Sequence, residues 1–284
     1  MSFLDRIEAC ASFDKATYVP FIVDGHEVGL IGPAFIGELG EFPDVFRIEA
    51  DCAGVDDRLC DFDERTGAVQ SVLSELKLRG LFPGWRDEHF PVAKAFSAPP
   101  VFNMERACVP RFGVRAYGVH LNGYVRHGDE LLMWVARRSM SKHSAPGKLD
   151  QVAAGGQPAG LSLRDNLIKE CGEEAGIPED LAAKAVGVSA VYYCFERAEG
   201  LRRDIEFIYD LELPVEFVPE NTDGEVDAFE LWPIRDVAET VRTTDDFKFN
   251  CALVMIDFLM RHGYIEPDHP DYGALIHGLR QGRG

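Results

Sequence analysis

The sequence predicts an α/β protein in two parts, a small α+β unit over residues 1–109 and a larger α/β unit over 110–284. Three observations carry this. From Arg111 onward the chain turns into long apolar stretches of strand character. Among them a glycine-rich loop, Gly155-Gly156-Gln157-Pro158-Ala159-Gly160, runs into a helix bearing Glu170, Glu173 and Glu174. Before residue 100, a separate set of turn signals and amphipathic segments reads as a unit of its own.

Taken in order, Met1 to Phe13 reads as a short amphipathic helix. Tyr18–Val23 and His26–Ile31 flank Asp24-Gly25, a hairpin signal. Val45–Ile48 is a strand. Thr66 to Arg79 is a helix, with Val69, Val72, Leu73 and Leu76 on one face, Thr66 as N-cap and Gly80 just past its end. Pro99-Pro100 breaks the chain before a short helix around Asn103 to Cys108. In the larger unit Val114–Val125 and Leu131–Ala136 are strands, and the glycine-rich loop leads into a helix from Ser162 to Ala175. Ser189–Phe195 and Ile205–Leu213 follow as a strand pair, and Asp223–Trp232 enters another strand. Phe247 to Arg261 is a helix closed by Gly263, and the tail from Pro267 is partly extended.

Composition narrows the function. The net charge of −19 disfavours non-specific binding to nucleic acid or an acidic membrane. No apolar run is long enough for a transmembrane helix. The first residues carry acids where a signal peptide would be basic. Seven scattered cysteines with no CxxC pair indicate a reducing compartment, read as cytoplasmic, and no zinc site. The expected partner is a small molecule, with a homodimer left open.

In a helix, Glu170, Glu173 and Glu174 stack on one face, where like charges repel unless a cation sits among them. Oxygen ligands of this kind suit Mg²⁺, with Mn²⁺ as an alternative. Leu167, Cys171 and Ala175 form the opposite, packing face, so Cys171 reads as a buried small hydrophobe.

This stretch resembles the Nudix box, G-x5-E-x7-R-E-U-x-E-E-x-G-U, where U is bulky and apolar. Gly155, Glu170, Glu173, Glu174 and Gly176 fall in register, an agreement expected by chance on the order of once in a million starts. Three positions depart: Leu161 replaces the first glutamate, Lys169 the arginine and Cys171 an apolar residue. The first removes an outer carboxylate and the second loses a planar fork. Further segments, among them Trp85-Arg86-Asp87-Glu88, Glu105-Arg106-Ala107, His120-Leu121-Asn122-Gly123-Tyr124, Asp223-Gly224-Glu225-Val226 and Phe247-Lys248-Phe249-Asn250, are similar to one Nudix branch. That branch is fused in some fungi to thiamine pyrophosphokinase.

The resemblance implies a Nudix α/β/α sandwich with a mixed sheet. It also implies metal-dependent hydrolysis of thiamine diphosphate, or its oxidised forms, to the monophosphate. Glu170, Glu173 and Glu174 are the expected metal ligands. Glu225, outside the box, or Glu173 is the expected base. Arg137, Arg138, Lys142 and Lys148, a local basic excess before the box, are expected to meet phosphate together with Gly155 and Gly156. By strand alternation one of Arg137 and Arg138 points into the site. Trp85, Arg86, His120, Asn122 and Tyr124 are candidates for the leaving group, although core packing accounts for Trp85 and Tyr124 equally well. The unit over 1–109 is expected to select substrate. Other readings are a Nudix hydrolase of an ADP-ribose-like compound, an isopentenyl diphosphate isomerase and a diphosphate sensor. The intact glutamates favour hydrolysis over the last two.

Overall fold

The computed structural model describes residues 1–281. Its first helix, α1 (Phe3–Ala9), starts from a capping box in which Ser2 and Asp5 satisfy each other's backbone N–H groups. The Asp-Gly hairpin forms as expected, with β1 (Val19–Val23) paired to β2 (His26–Ile31). Helix α2 (Pro33–Leu39) follows, then β3 (Phe46–Ile48) and β4 (Ala53–Val55), which complete a four-stranded sheet in the order β2-β1-β4-β3. Helix α3 (Phe62–Leu78) covers it with Val69, Val72, Leu73 and Leu76, the face read from the sequence.

Two expectations in this part are corrected. Helix α3 begins a turn early, because the Asp61 carboxylate caps Glu64 N–H and acids fill the first turn. Thr66 lies inside the helix and accepts instead from the Asn103 N–H. The segment from Phe102 to Glu105 is a strand, β6, paired with β5 (His89–Val92). Phe102 and Met104 alternate into the core, a period of two that outweighs helical spacing. Only Arg106–Cys108 is helical, as one 3₁₀ turn, and it runs into α4 (Val109–Phe112).

The larger sheet is mixed. Strands β7 (Arg115–His127), β8 (Glu130–Arg138), β11 (Val186–Arg197), β12 (Gly200–Glu212) and β13 (Val226–Pro233) run in the order β11-β12-β7-β8-β13. The β12–β7 pair is parallel and the others are antiparallel. Two short strands, β9 (Leu149–Asp150) and β10 (Ala153–Gly156), pair with β8 and β7. On one face lie α5 (Leu163–Ala175) and α6 (Glu179–Ala182), packed through Leu167, Cys171 and Ala175. On the other lie α7 (Ile234–Thr243), the strongly apolar α8 (Phe249–Arg261) and α9 (Tyr272–Arg280). The result is an α/β/α sandwich.

The tail is helical rather than extended. Leu275 and Leu279 of α9 are buried, and α9 lies so close to α1 that a Cβ on Gly278 would meet Ile7 at 2.4 Å. Consequently Phe3, Ile7 and Cys10 belong to the core of the larger unit, although α1 opens the chain.

Candidate active site

Helix α5 is set by its two ends. Ser162 caps the Asp165 N–H, and Gly176 closes the helix in the left-handed region. Between them Glu170 and Glu174 come up one turn apart and face a cleft of about 220 Å³. Glu170 lies directly on β10: a Cβ on Gly155 would stand 2.2 Å from its carboxyl carbon. A side chain at residue 155 would therefore evict Glu170. Glu174 is nearly enclosed and accepts the Ala154 N–H at 2.7 Å. Burial, reinforced by nearby Asp150, pushes its carboxyl up to about 8, against the pull of that hydrogen bond. Burial also raises Glu170, although Lys169 opposes the shift. Glu173 turns outward, half exposed, and pairs with Lys169 at 2.6 Å. Lys169, in the box's arginine place, also reaches Glu170 at 3.1 Å.

The start of β13 brings Glu225 to the same cleft, where it pairs with Lys142 and lies 3.8 Å from Arg86. Burial and the neighbouring Arg138 depress the Lys142 ammonium to about 8, with Glu174 opposing. Of the arginine pair, Arg138 points in and Arg137 out. The Arg138 fork is occupied, however. It donates to Asp150 at 2.7 Å and to the carbonyls of Ser144 and Ala145, so it folds the 139–148 loop. Asp150 is held well below the usual carboxylate range; its burial works the other way, but Lys248 and Arg138 prevail.

The structure gathers Arg86, His120, Arg138, Lys142, Gly155, Gly156, Glu170, Glu174 and Glu225 around one cleft. It does not bring the remaining candidates there. Arg137 is drawn to Gly147 O and Glu230 at the surface. Lys148 donates to Asp245 O. Trp85 donates to Asp87, with Lys77 over its ring. Asn122 is buried and donates to Asp210, and Tyr124 packs on Phe258 and His262.

Comparison with known proteins bears directly on this geometry. A family model described as a domain of unknown function, DUF4743, matches residues 2–116. Nudix hydrolase 20, chloroplastic, of Arabidopsis thaliana is 42% identical over 98% of this chain and 77% of its own length. Nudix hydrolase 24, chloroplastic, of the same plant is 43% identical over 99% and 78%. The chain belongs to the Nudix hydrolases. An uncharacterized protein of Saccharomyces cerevisiae is also similar, 30% identical over 97% of this chain and 89% of its own.

As a Nudix hydrolase the protein needs a place for a divalent cation, and the donor set fits one. Glu170 and Glu174 are two desolvated carboxylates on one helix turn, both with raised affinity for a proton, which a hard cation would displace. Among the described residues, the groups of three or more ligand side chains compact enough to hold an ion are His120, Asp150 and Cys251, and Glu49, Asp51 and Cys52. In the first, Asp150 already has Arg138 and Lys248 as counter-ions and accepts the Cys251 thiol, so its charge is balanced. The second is an exposed loop.

Sequence reasoning missed a large part of the Nudix cleft. Phe90 and Arg106 of the first unit line it, and so do Tyr193, Asp204, Glu206 and Asn250. A signal did exist for the acids. In β12, Arg202, Asp204 and Glu206 recur at every second position, with Arg203, Ile205 and Phe207 alternating with them, and so share one face.

Proposed function

We propose that this Nudix hydrolase cleaves the diphosphate of thiamine diphosphate, or of its oxidised forms, using Mg²⁺ or Mn²⁺, and releases the monophosphate. The observation that carries the reading is that one cleft joins the box glutamates to a wall made by the first unit. Arg86, Phe90 and Arg106 come from that unit, and His89 O accepts the Ala159 N–H of the box loop at 2.9 Å. Substrate choice by residues 1–109, with α1 serving the other core, follows from this. The branch motifs quoted above supply the thiamine class.

Glu170 and Glu174 hold the cation. Bound there, it would neutralise diphosphate charge and make an attacking water more acidic. Lys142, Arg86 and Arg106 supply further positive charge, and the glycines at 155 and 156 make room for the Glu170 carboxyl and the Phe90 ring. Water attacks phosphorus, the bridging P–O bond breaks, and Glu225 takes the water's proton. Of the two candidate bases, Glu225 lines the cleft, whereas Glu173 is committed to Lys169. Glu225 must leave Lys142 to act, so substrate phosphate and Glu225 compete for one ammonium.

The reducing, cytoplasmic compartment read from the scattered cysteines remains part of this proposal. Among the described residues no helix is long and apolar enough to cross a membrane. The test is turnover of thiamine diphosphate, its oxo form and ADP-ribose with Mg²⁺. Monophosphate release from the first two is expected; activity confined to ADP-ribose would remove the thiamine assignment.

A further inference from the structure

We infer that Glu206 selects the leaving group, its carboxylate binding a flat nitrogen heterocycle that carries a positive charge or N–H donors. This rests on the diphosphatase reading above and adds the residue that reads the organic part of the substrate. Glu206 is only 6% exposed, yet it lines the cleft. Its Oε1 is well supplied, accepting from Tyr193 Oη at 2.7 Å and from Asn250 Nδ2 at 3.1 Å. Among the described residues its Oε2 accepts no hydrogen bond, and His120 Nε2 lies 3.7 Å from it.

In the neutral imidazole that nitrogen is an acceptor. Gln151 donates its Nε2 to Cys251 O, so its Oε1 faces His120 Nδ1 at 2.7 Å and takes the ring proton. His120 Nε2 is left to accept from Asn250. Tyr193 has one hydroxyl proton for two carboxylates, Asp204 and Glu206. Burial raises the Asp204 carboxyl, against the pull of Arg202. A carboxylate oxygen that faces the cleft can accept from a ligand's cation or N–H.

The place that oxygen occupies is made by glycine. A Cβ on Gly118 would lie 2.1 Å from Glu206 Oε2. Gly118 is in register with Gly156 on β10, which leads toward Phe90 and Arg106. Phe249, packed edge-on against Tyr193, adds a second aromatic wall. Aromatic walls favour a flat ring, and a carboxylate that can only accept favours a cation or N–H.

The test compares kcat/KM for thiamine diphosphate and for isopentenyl diphosphate, whose tail is uncharged, in the wild type and in Glu206→Gln. The ratio of the two should fall at least tenfold in the variant; an unchanged ratio, with both substrates equally impaired, would overturn the proposal. Thiamine without phosphate, titrated into both proteins by calorimetry, reads the subsite apart from turnover. Binding to the wild type that weakens at least tenfold in Glu206→Gln is expected. No binding to the folded wild type, or equal binding to both proteins, would overturn the proposal. If the wild type binds thiamine but never hydrolyses its diphosphate, the diphosphatase reading fails while the subsite stands.

Discussion

Glu174 combines burial, a backbone hydrogen bond and a carboxylate neighbour, and these oppose one another. The sign of the result decides a pH dependence. Its folded pKa, about 8, lies above the ordinary value, so the metal-free protein holds this proton more tightly than the unfolded chain does. The stability associated with that proton is present at acid pH and is lost as pH rises through about 8. A divalent cation removes the penalty by taking the proton's place. The rise in Tm on adding Mg²⁺ should therefore be larger at pH 8.5 than at pH 5.5; an equal or opposite trend by scanning calorimetry would contradict the metal assignment. Removing either box carboxylate should also be severe. Outer groups around metals already cost 10–100-fold, so Glu170→Gln should lower kcat by about 100-fold or more. The box glutamates could be read from the sequence because their spacing is helical. The outward turn of Glu173 could not, because it depends on Lys169 lying between two acids.

At the level of elements, α5 and β10 form one device, a helix whose carboxylate rests on a strand with no side chain beneath it. Gly155→Ala places a Cβ inside the Glu170 carboxyl, so it should abolish most activity even where the fold survives, as circular dichroism and turnover together will show. Ser162→Ala removes the helix cap and should cost about 1 kcal/mol by urea unfolding. The hairpin at Asp24-Gly25, the caps of α5 and the long strands were readable because turn chemistry and periodicity are local. Strand β6 and helix α9 were not. The start of α3 did carry a local signal, the Asp61 cap, which sequence reasoning missed, whereas β6 depends on pairing with β5 and α9 on packing against α1. The acids of β12 fall between these cases. Their alternation is local, but their meaning appears only when β7 supplies Gly118 beneath Glu206.

Across the whole molecule, an acidic chain of net charge −19 handles an anionic substrate by concentrating cations at one place. Arg86 and Arg106 from the first unit meet Lys142 from the second across the cleft. If Arg106 contacts the diphosphate, Arg106→Ala forfeits a charged hydrogen bond of about 1.5–3 kcal/mol, or roughly a tenfold or greater rise in KM. An unchanged KM would place that arginine in a structural role with Glu88. The arrangement also explains why the first hundred residues could be expected to matter for substrate choice without showing how: Phe90 and Arg106 act only through β5, β6 and the turn after them, which dock against the box loop. The central claim joins these scales, and one measurement tests it most directly. Purified protein is given thiamine diphosphate with and without Mg²⁺, alongside Glu174→Gln. The account predicts metal-dependent release of thiamine monophosphate and orthophosphate, reduced about 100-fold or more in the variant. Undiminished turnover by Glu174→Gln, or no turnover of thiamine diphosphate by a wild type that hydrolyses ADP-ribose, would contradict it.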